Sequence, residues 1–240
     1  MIYFRSIIFY LGEALSTIPF TIISAIVFFA PPRVRSRVIA GWAVFVVWWL
    51  KVCCGLRHEV IGLENVPKTP CVFASNHQST WETIATQTFL PPLAWVLKKE
   101  LLKIPFFGWG LWMTRPIAID RTDRKNALEQ VVDQGKEKIK ENRYVLVFPE
   151  GTRTPYTMDR QYKKGGARLA IEADVPIVPV AHNAGKFWSS ESFWIKPGLI
   201  TCIIGPAMMH NGKNDIALTA DIRTWIRSQD LWAGKGLIRN

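Results

Sequence analysis

A histidine and a glutamate five residues apart are the first candidates for chemistry in this sequence. His77 and Glu82 lie in the stretch ASNHQSTWETIA, which runs from residue 74 to residue 85. On a continuous α-helix, residues five apart differ by about 140° in direction, because the helix has 3.6 residues per turn. The two side chains can therefore meet only if His77 lies in a turn and the helix begins after it. In that arrangement His77 can act as general base on a substrate hydroxyl, and Glu82 can orient the imidazole.

The same stretch also has a purely structural interpretation. Ser79 is a favourable N-cap residue, and the pattern Ser79-x-x-Glu82 matches a capping box, in which the glutamate accepts a hydrogen bond from the serine N–H. Such a cap supplies the break in the helix that the catalytic pair requires. The sequence leaves open whether Glu82 turns toward the imidazole or toward its own helix end.

Three other segments combine charge with glycine or arginine. The loop FPEGTRT at 148–154 offers a glycine that lets a ligand come close and an arginine that can bind phosphate in a bidentate manner. An ordinary turn is the alternative. The segment DRTDR at 120–124 has two arginines, for which self-paired surface charges are the alternative. The segment KKGGARLA at 163–170 places two lysines before a predicted helix, as an anion site would.

Composition and missing motifs exclude several classes of protein. GxGxxG, GxxxxGK[ST] and GxSxG are absent, which argues against the usual nucleotide folds and serine hydrolases. The four cysteines form no CxxC pair, so we expect no zinc site and a reducing, cytoplasmic setting. With 30 Lys+Arg against 19 Asp+Glu the net charge is +11, which favours anionic partners. Without a nucleic-acid-binding signature, a phospholipid surface, a phosphorylated substrate or an acidic carrier protein is favoured over nucleic acid.

Alternating apolar and amphipathic segments predict the fold that positions these residues. Short apolar runs predict strands at 71–75, 94–98, 116–119, 144–148, 176–181 and 199–205, and helical spacing predicts helices at 127–139, 165–173 and 215–227. The alternation predicts an α/β fold with a mostly parallel central sheet flanked by helices. Pro179 indicates that its strand is an edge strand or ends there. Because ligands bind beyond the carboxyl ends of parallel strands, we expect the loops after three of the strands to converge.

Residues 1–57 are predicted to form a hydrophobic two-helix membrane-associating element before an α/β domain at 58–240. Two apolar runs, 14–30 and 38–50, are each somewhat shorter than the roughly 20 residues that cross a bilayer. Two spanning helices would place the three arginines between them outside, against the positive-inside tendency, and a buried turn would bury them at considerable cost. We therefore predict that both helices lie in one interface with these arginines at anionic headgroups; two spans are the alternative.

Five blocks occur in a fixed order within residues 58–205: NHQSTWE, KKELLKIPFFGWG, IAIDR, FPEGTRT and VPIVPVA. In this order the chain resembles the glycerolipid acyltransferase family, and it looks most like the bacterial 1-acylglycerol-3-phosphate (lysophosphatidate) acyltransferases. The resemblance implies an inner-membrane enzyme, facing the cytoplasm, that moves an acyl group from acyl-CoA or acyl-carrier protein to the sn-2 hydroxyl of lysophosphatidate, giving phosphatidate for phospholipid biosynthesis. It implies no metal and no redox cofactor. Another lysophospholipid or a lyso-aminolipid as acceptor, and a lipid-binding membrane protein with a degenerate site, are the alternatives.

The resemblance also implies roles for single residues. His77 corresponds to the catalytic base, and Glu82 stands where the family has an aspartate that orients it. The residues implied to bind the acceptor's phosphate and glycerol, or the thioester, are Lys98, Arg121, Glu150, Gly151, Thr152 and Arg153. The fourth block implies an acyl site at Val178 and Pro179.

Overall fold

A computed structural model describes residues 1–120, 126–232 and 238–239 of the chain. Its helices are α1 (Ile2–Ile26), α2 (Pro32–Cys54), α3 (Trp81–Phe89), α4 (Phe107–Met113), α5 (Ala127–Lys140), α6 (Gly165–Glu172) and α7 (Asp215–Ser228). Its strands are β1 (Leu56–Ile61), β2 (Val72–Ser75), β3 (Leu93–Lys98), β4 (Ile117–Ile119), β5 (Tyr144–Val147), β6 (Met158–Asp159), β7 (Ile177–His182), β8 (Gly198–Ile204) and β9 (Ile238–Arg239).

The central sheet is mixed and mostly parallel, as predicted. Within the described ranges its seven strands are ordered β1-β8-β7-β2-β5-β3-β4. Every neighbouring pair is parallel except β7 and β8, which are antiparallel. The central strands β2, β5 and β7 are buried along their whole length, as expected for strands with helices on both faces. The α/β fold class is confirmed.

Two hydrophobic cores lie on the two faces of the sheet. One core joins the sheet to α2 and α3 through residues such as Leu50 and Trp81. The other joins the opposite face to α5, α6 and α7 through residues such as Val132, Leu169 and Ile222. The two layers fix the strand ends in space, so the loops that follow β2 and β5 are held by packing on both sides.

Pro179 does not lie in an edge strand, and that prediction is wrong. Strand β7 is central, with β2 on one side and β8 on the other. Val180 pairs with Ile204 of β8, and a separate bridge joins Ile177 to Met208. Three positions of β7 therefore lie opposite four positions of β8 and its extension, which leaves one extra residue beside Pro179. A proline lacks the N–H of a ladder hydrogen bond and is tolerated at such a bulge.

The N-terminal helices are longer than the apolar runs indicated. Helices α1 and α2 have 25 and 23 residues, because α1 begins at Ile2, well before its apolar run, and α2 extends beyond its apolar run at both ends. By length and composition alone both are apolar and long enough to cross a membrane, a test that buried helices and signal sequences also pass. The premise that the helices are too short to span is therefore wrong, and the division at residue 57 remains a prediction.

Both helices also pack against the α/β part of the chain, α2 through the core that it shares with α3 and α1 through hydrogen bonds. The Thr21 hydroxyl donates a hydrogen bond to the carbonyl oxygen of Phe106 beside α4, and the N–H of Ile195 donates to the Ser6 hydroxyl. Of the arginines expected at headgroups, Arg37 is exposed, whereas Arg35 is buried against the ring of Phe28. Arg35 is therefore not exposed on the helix surface, because the start of α2 packs against the end of α1.

Candidate active site

The candidate catalytic pair, His77 and Glu82, is positioned by the turn between β2 and α3. Strand β2 ends at Ser75, helix α3 begins at Trp81, and His77 lies in the turn between them, as predicted. Thr80, rather than Ser79, occupies the N-cap position. The Ser79 hydroxyl still accepts a hydrogen bond from the Trp81 N–H at 3.1 Å, so Ser79 satisfies one of the unpaired donors at the helix start.

Glu82 binds both the imidazole and its own helix end. Its Oε1 atom lies 2.7 Å from Nδ1 of His77. The same oxygen accepts hydrogen bonds from the backbone N–H groups of Gln78 at 2.7 Å and Ser79 at 2.9 Å. The two interpretations left open by the sequence are therefore both realised, because one carboxylate oxygen receives all three donors.

Glu82 is completely buried, yet its surroundings favour the charged form. Burial alone would raise its pKa, but the neighbouring imidazoles of His182 and His77 and the Ser79 N–H outweigh burial and hold the pKa of Glu82 below its ordinary value. The Glu82–His77 contact thus supplies a fixed negative charge at Nδ1. Such a charge selects the tautomer with a proton on Nδ1 and leaves Nε2 as the basic nitrogen.

A second histidine, His182, supports this arrangement from β7. Burial lowers its pKa, and its Nδ1 accepts the Ala184 N–H at 3.3 Å, which leaves Nε2 as the donor nitrogen of the ring. That Nε2 bonds the carbonyl oxygen of Asn76 at 2.8 Å and lies 3.9 Å from Oε2 of Glu82. The Asn76 side chain exchanges two further hydrogen bonds with the His182 backbone, both 2.9 Å. Asn76 and His182 thereby lock the ends of β2 and β7 together behind the pair.

The loop after β5 is tied directly to the His77 turn. The His77 N–H donates to Oε1 of Glu150 at 3.2 Å, and the Thr154 N–H donates to the His77 carbonyl oxygen at 2.7 Å. The ring of Phe148 stacks on the His77 imidazole, with centroids 4.1 Å apart. Convergence of these two loops is therefore observed. Burial raises the pKa of Glu150 to about 7. Its carboxyl group stabilises the turn by accepting the His77 N–H.

A cavity of about 1470 Å³ opens in front of His77. Of the residues predicted to contact substrate, His77, Lys98, Gly151, Thr152 and Arg153 line it. Its wall also includes apolar residues of α1, α2, α4 and the segment before α4, among them Phe20, Trp42, Phe106, Phe107 and Leu111. One continuous space therefore combines a basic nitrogen, cations and a long apolar surface.

The remaining predicted residues lie elsewhere. Glu150 is buried behind the turn, and Val178 and Pro179 lie within the buried strand β7; none of the three is part of the lining found among the described residues. Their substrate-binding and acyl-site roles remain predictions. Arg121 lies outside the described residues.

The structure adds detail at two cationic residues of the cavity, Lys163 and Arg153. Lys163, from the KKGG segment, lines the cavity beside Gly151, whose backbone has φ +74°. A Cβ atom at Gly151 would lie 2.8 Å from the Lys163 ammonium nitrogen, so glycine permits this approach. Arg153 donates from Nη1 to the Thr80 hydroxyl at 3.0 Å, which fixes its guanidinium at the rim. The KKGG pattern gave a signal for Lys163, whereas His182 had none.

The described residues contain no group of three or more His, Cys, Asp or Glu side chains close enough to hold a metal ion. The site combines a histidine and a buried carboxylate with a cavity that is lined by cationic side chains. A family model described as Acyltransferase matches residues 57–183, which include β2 to β7, all but the first residue of β1, and every loop of the site. The fold, the site and this match define an enzyme of the O-acyltransferase class.

The comparisons with known proteins identify the family. The chain is 45% identical over 219 residues to the 1-acyl-sn-glycerol-3-phosphate acyltransferase of Pseudomonas aeruginosa, covering 89% of this chain and 84% of that protein. It is 31% identical over 198 residues to human 1-acyl-sn-glycerol-3-phosphate acyltransferase beta, covering 81% and 70%. The chain belongs to the acyltransferase family. The crystal structure of the 1-acyl-sn-glycerophosphate (LPA) acyltransferase PlsC from Thermotoga maritima has the same fold, with TM-score 0.79, 22% identity and coverage of 94% and 93%.

Proposed function

We propose that this enzyme transfers a fatty acyl group from acyl-CoA or acyl-carrier protein to the sn-2 hydroxyl of lysophosphatidate, giving phosphatidate in phospholipid biosynthesis. The observation that carries the proposal is the 2.7 Å contact between Nδ1 of His77 and Oε1 of Glu82 at the wall of a cavity with cations and an apolar surface. The names of the relatives support lysophosphatidate as acceptor.

The proposed reaction proceeds by direct attack. His77 Nε2 takes the proton of the sn-2 hydroxyl, and the oxygen forms a new ester bond with the thioester carbonyl carbon. The carbon–sulfur bond then breaks, and the thiolate takes the proton from the imidazolium. Glu82 stabilises that imidazolium while it exists. Since no electron is transferred and the base is a side chain, the reaction needs neither a redox cofactor nor a metal.

The cations of the cavity would hold the anionic ends of the substrates. Arg153 is the best placed to bind the acceptor's phosphate, because its guanidinium is fixed at the rim and can form bidentate contacts. Lys98 and Lys163 also line the cavity, and neither forms a salt bridge with any residue that the structure describes. They are candidates for the phosphate or for the thioester donor. Arg121 keeps its proposed contact with the glycerol phosphate.

We also propose that the enzyme acts at the inner membrane with its site facing the cytoplasm. The support lies in α1, where residues three, four or seven positions apart form an exposed apolar stripe: Phe4, Leu11, Leu15, Ile18 and Ile22. An apolar stripe on a helix that lies in the membrane interface would be buried among acyl chains. Residues of the same helix line the cavity, so this placement would let acyl chains enter from the membrane.

The test is turnover with purified protein, labelled acyl-CoA or acyl-carrier protein, and lysophosphatidate. Phosphatidate should form, and His77→Ala should abolish it, whereas His210→Ala, at a histidine on the surface, should keep full activity. Arg153→Gln should raise KM for lysophosphatidate more than KM for the donor. Turnover that persists in His77→Ala would refute the general base. A panel of other lysophospholipids and lyso-aminolipids tests the acceptor, and lipid binding without turnover over all donors would refute the enzymatic assignment.

A further inference from the structure

A second cavity lies beside β4, an edge strand of the sheet, whereas His77 follows the central strand β2. It has a volume of about 450 Å³ and is bordered by the end of α1, the first turn of α2, the start of β4 and the last turn of α5. None of its lining residues belongs to the larger cavity. The volume falls in the range of roughly 300–1,000 Å³ that is usual for small-molecule sites.

Positive charge is concentrated at this second cavity. Arg35, Arg115 and Lys138 line it, and Arg143 lies next to them. Glu141 is their only carboxylate partner among the described residues, at 3.2 Å from Arg115, 3.7 Å from Lys138 and 3.9 Å from Arg143. One carboxylate therefore contacts three of the four cations, and Arg35 has no carboxylate partner among the described residues. A cavity with this balance attracts an anion.

Arg35 is the cation that most needs a partner. Its side chain is buried, and its Nε atom has no hydrogen-bond partner in the part of the chain that the structure describes. Its one described contact as a cation is with the ring of Phe28, 5.7 Å from the guanidinium carbon. A buried guanidinium N–H without an acceptor is unfavourable, and a contact with an aromatic ring offsets only part of that penalty. A phosphate oxygen in the cavity would supply the missing acceptor.

The wall of the second cavity is apolar on the side of α1 and α4. Phe28 stacks on Trp112, with centroids 5.8 Å apart and an interplanar angle of 14°. Leu102 also lines the cavity. Just beyond it, Phe29 is 96% exposed and Ile26 is 76% exposed. A ligand that fits both sides has a phosphate group beside the cations and apolar chains along these side chains.

We propose that this second cavity binds a phosphate group, presented by the headgroup of an anionic phospholipid, as a site separate from the catalytic cavity. The three cations that line it contact the phosphate, and the exposed residues at the end of α1 contact the acyl chains. Occupancy would fix the turn between α1 and α2 against β4 and α5. The site goes beyond the proposed function, because it is defined by residues that take no part in the proposed reaction.

The experiment measures lipid binding by native mass spectrometry and by thermal unfolding of the full chain in a neutral detergent. The probes are dioctanoyl phosphatidylglycerol, dioctanoyl phosphatidylcholine and inorganic phosphate. Phosphatidylglycerol should bind with one-to-one stoichiometry and raise Tm. Arg115→Gln and Lys138→Gln should each weaken that binding at least tenfold. Lys140→Gln removes the same charge from an exposed position of α5, two residues from Lys138, and should change binding by less than twofold.

Each contrary result has a defined meaning. Equal saturation by inorganic phosphate would support the phosphate site and overturn a lipid as its occupant. Equal binding of phosphatidylcholine that is unaffected by the variants would overturn the site. Loss of binding in Arg153→Gln but not in Arg115→Gln would place the lipid in the catalytic cavity and also overturn it. Arg115 is half-exposed, so its variant remains informative if Lys138→Gln does not fold. Binding is read without turnover, so failure here is distinct from failure of the proposed function.

Discussion

Replacing Glu82 by glutamine separates the two roles of this carboxylate. Glutamine has nearly the same shape and keeps one oxygen that can accept the three hydrogen bonds from His77, Gln78 and Ser79. It removes the negative charge. When the amide oxygen keeps these three hydrogen bonds, the amide nitrogen takes the place of Oε2, which lies 3.9 Å from Nε2 of His182. Since that His182 nitrogen is itself a donor, an amide nitrogen there is unfavourable.

The expected size of the effect follows from these contacts. A positioned acid–base group contributes about 10²–10⁴-fold to the rate, and a neutral partner no longer stabilises the imidazolium. We therefore expect kcat/KM of Glu82→Gln to fall by about 10²–10⁴-fold, equivalent to about 3–5 kcal/mol. Hydrogen bonds to a charged acceptor are stronger than those to a neutral one by roughly 1 kcal/mol each, while relief from burying a charge offsets part of this loss. The free energy of unfolding should fall by about 1–2 kcal/mol.

The assay compares Glu82→Gln with a variant that lowers stability alone. Asn214 caps α7, where its side chain accepts the Ala217 N–H at 2.9 Å, and it does not line the cavity. Asn214→Ala should lower the free energy of unfolding by about 1 kcal/mol and leave kcat/KM of the folded protein unchanged. If Glu82→Gln behaved in the same way, with full activity per folded molecule, Glu82 would be only a capping residue. Glu82→Asp restores the charge and should recover part of the activity.

Three further predictions concern burial and backbone conformation. Burial raises the pKa of Glu150 from 4.5 to about 7, so as the pH rises its carboxyl group ionises first in the unfolded chain. The free energy of unfolding of the wild type should therefore fall as the pH rises from 4.5 to about 7. Glu150→Gln should remove up to about 3 kcal/mol of that fall, measured by urea unfolding at pH 4.5 and pH 8, and an unchanged slope would contradict it. Gly151→Ala and Gly212→Ala each force alanine into a positive φ, +74° and +77°, which should lower the free energy of unfolding by roughly 1–2 kcal/mol. Only Gly151→Ala, which displaces Lys163, should also raise KM, and equal KM values in the two variants would contradict this. Burial raises the pKa of the Cys71 thiol to about 12 and all four cysteines are buried, so a thiol reagent at pH 8 should label the protein only in denaturant, and rapid labelling of folded protein would contradict this.

The regular elements that the sequence predicted well are those with a strong local pattern. Strands β2, β5 and β7 are short apolar runs because helices cover both faces, and α5 has apolar residues at helical spacing. Strand β1 was not predicted, because its pattern LRHEVI mixes charged and apolar residues and its strand partner β8 lies about 140 residues away. Helix α4 was not predicted either, because its short sequence FGWGLWM contains two glycines and offers little intrinsic helix preference.

The sequence by itself determined the chemical groups of the site and their local order. The spacing of His77 and Glu82 with Ser79 between them established that the pair could meet only across a break before a helix. Only the tertiary structure decided that one oxygen of Glu82 serves both the imidazole and the helix end, that His182 supports it, and that Arg35 is buried beside a second cavity. The reason is that these outcomes depend on groups far apart in the chain, such as Asn76 and His182, which the packing of β2 against β7 brings together. A local pattern fixes which donors and acceptors exist, and long-range packing fixes which of them lie within hydrogen-bond distance.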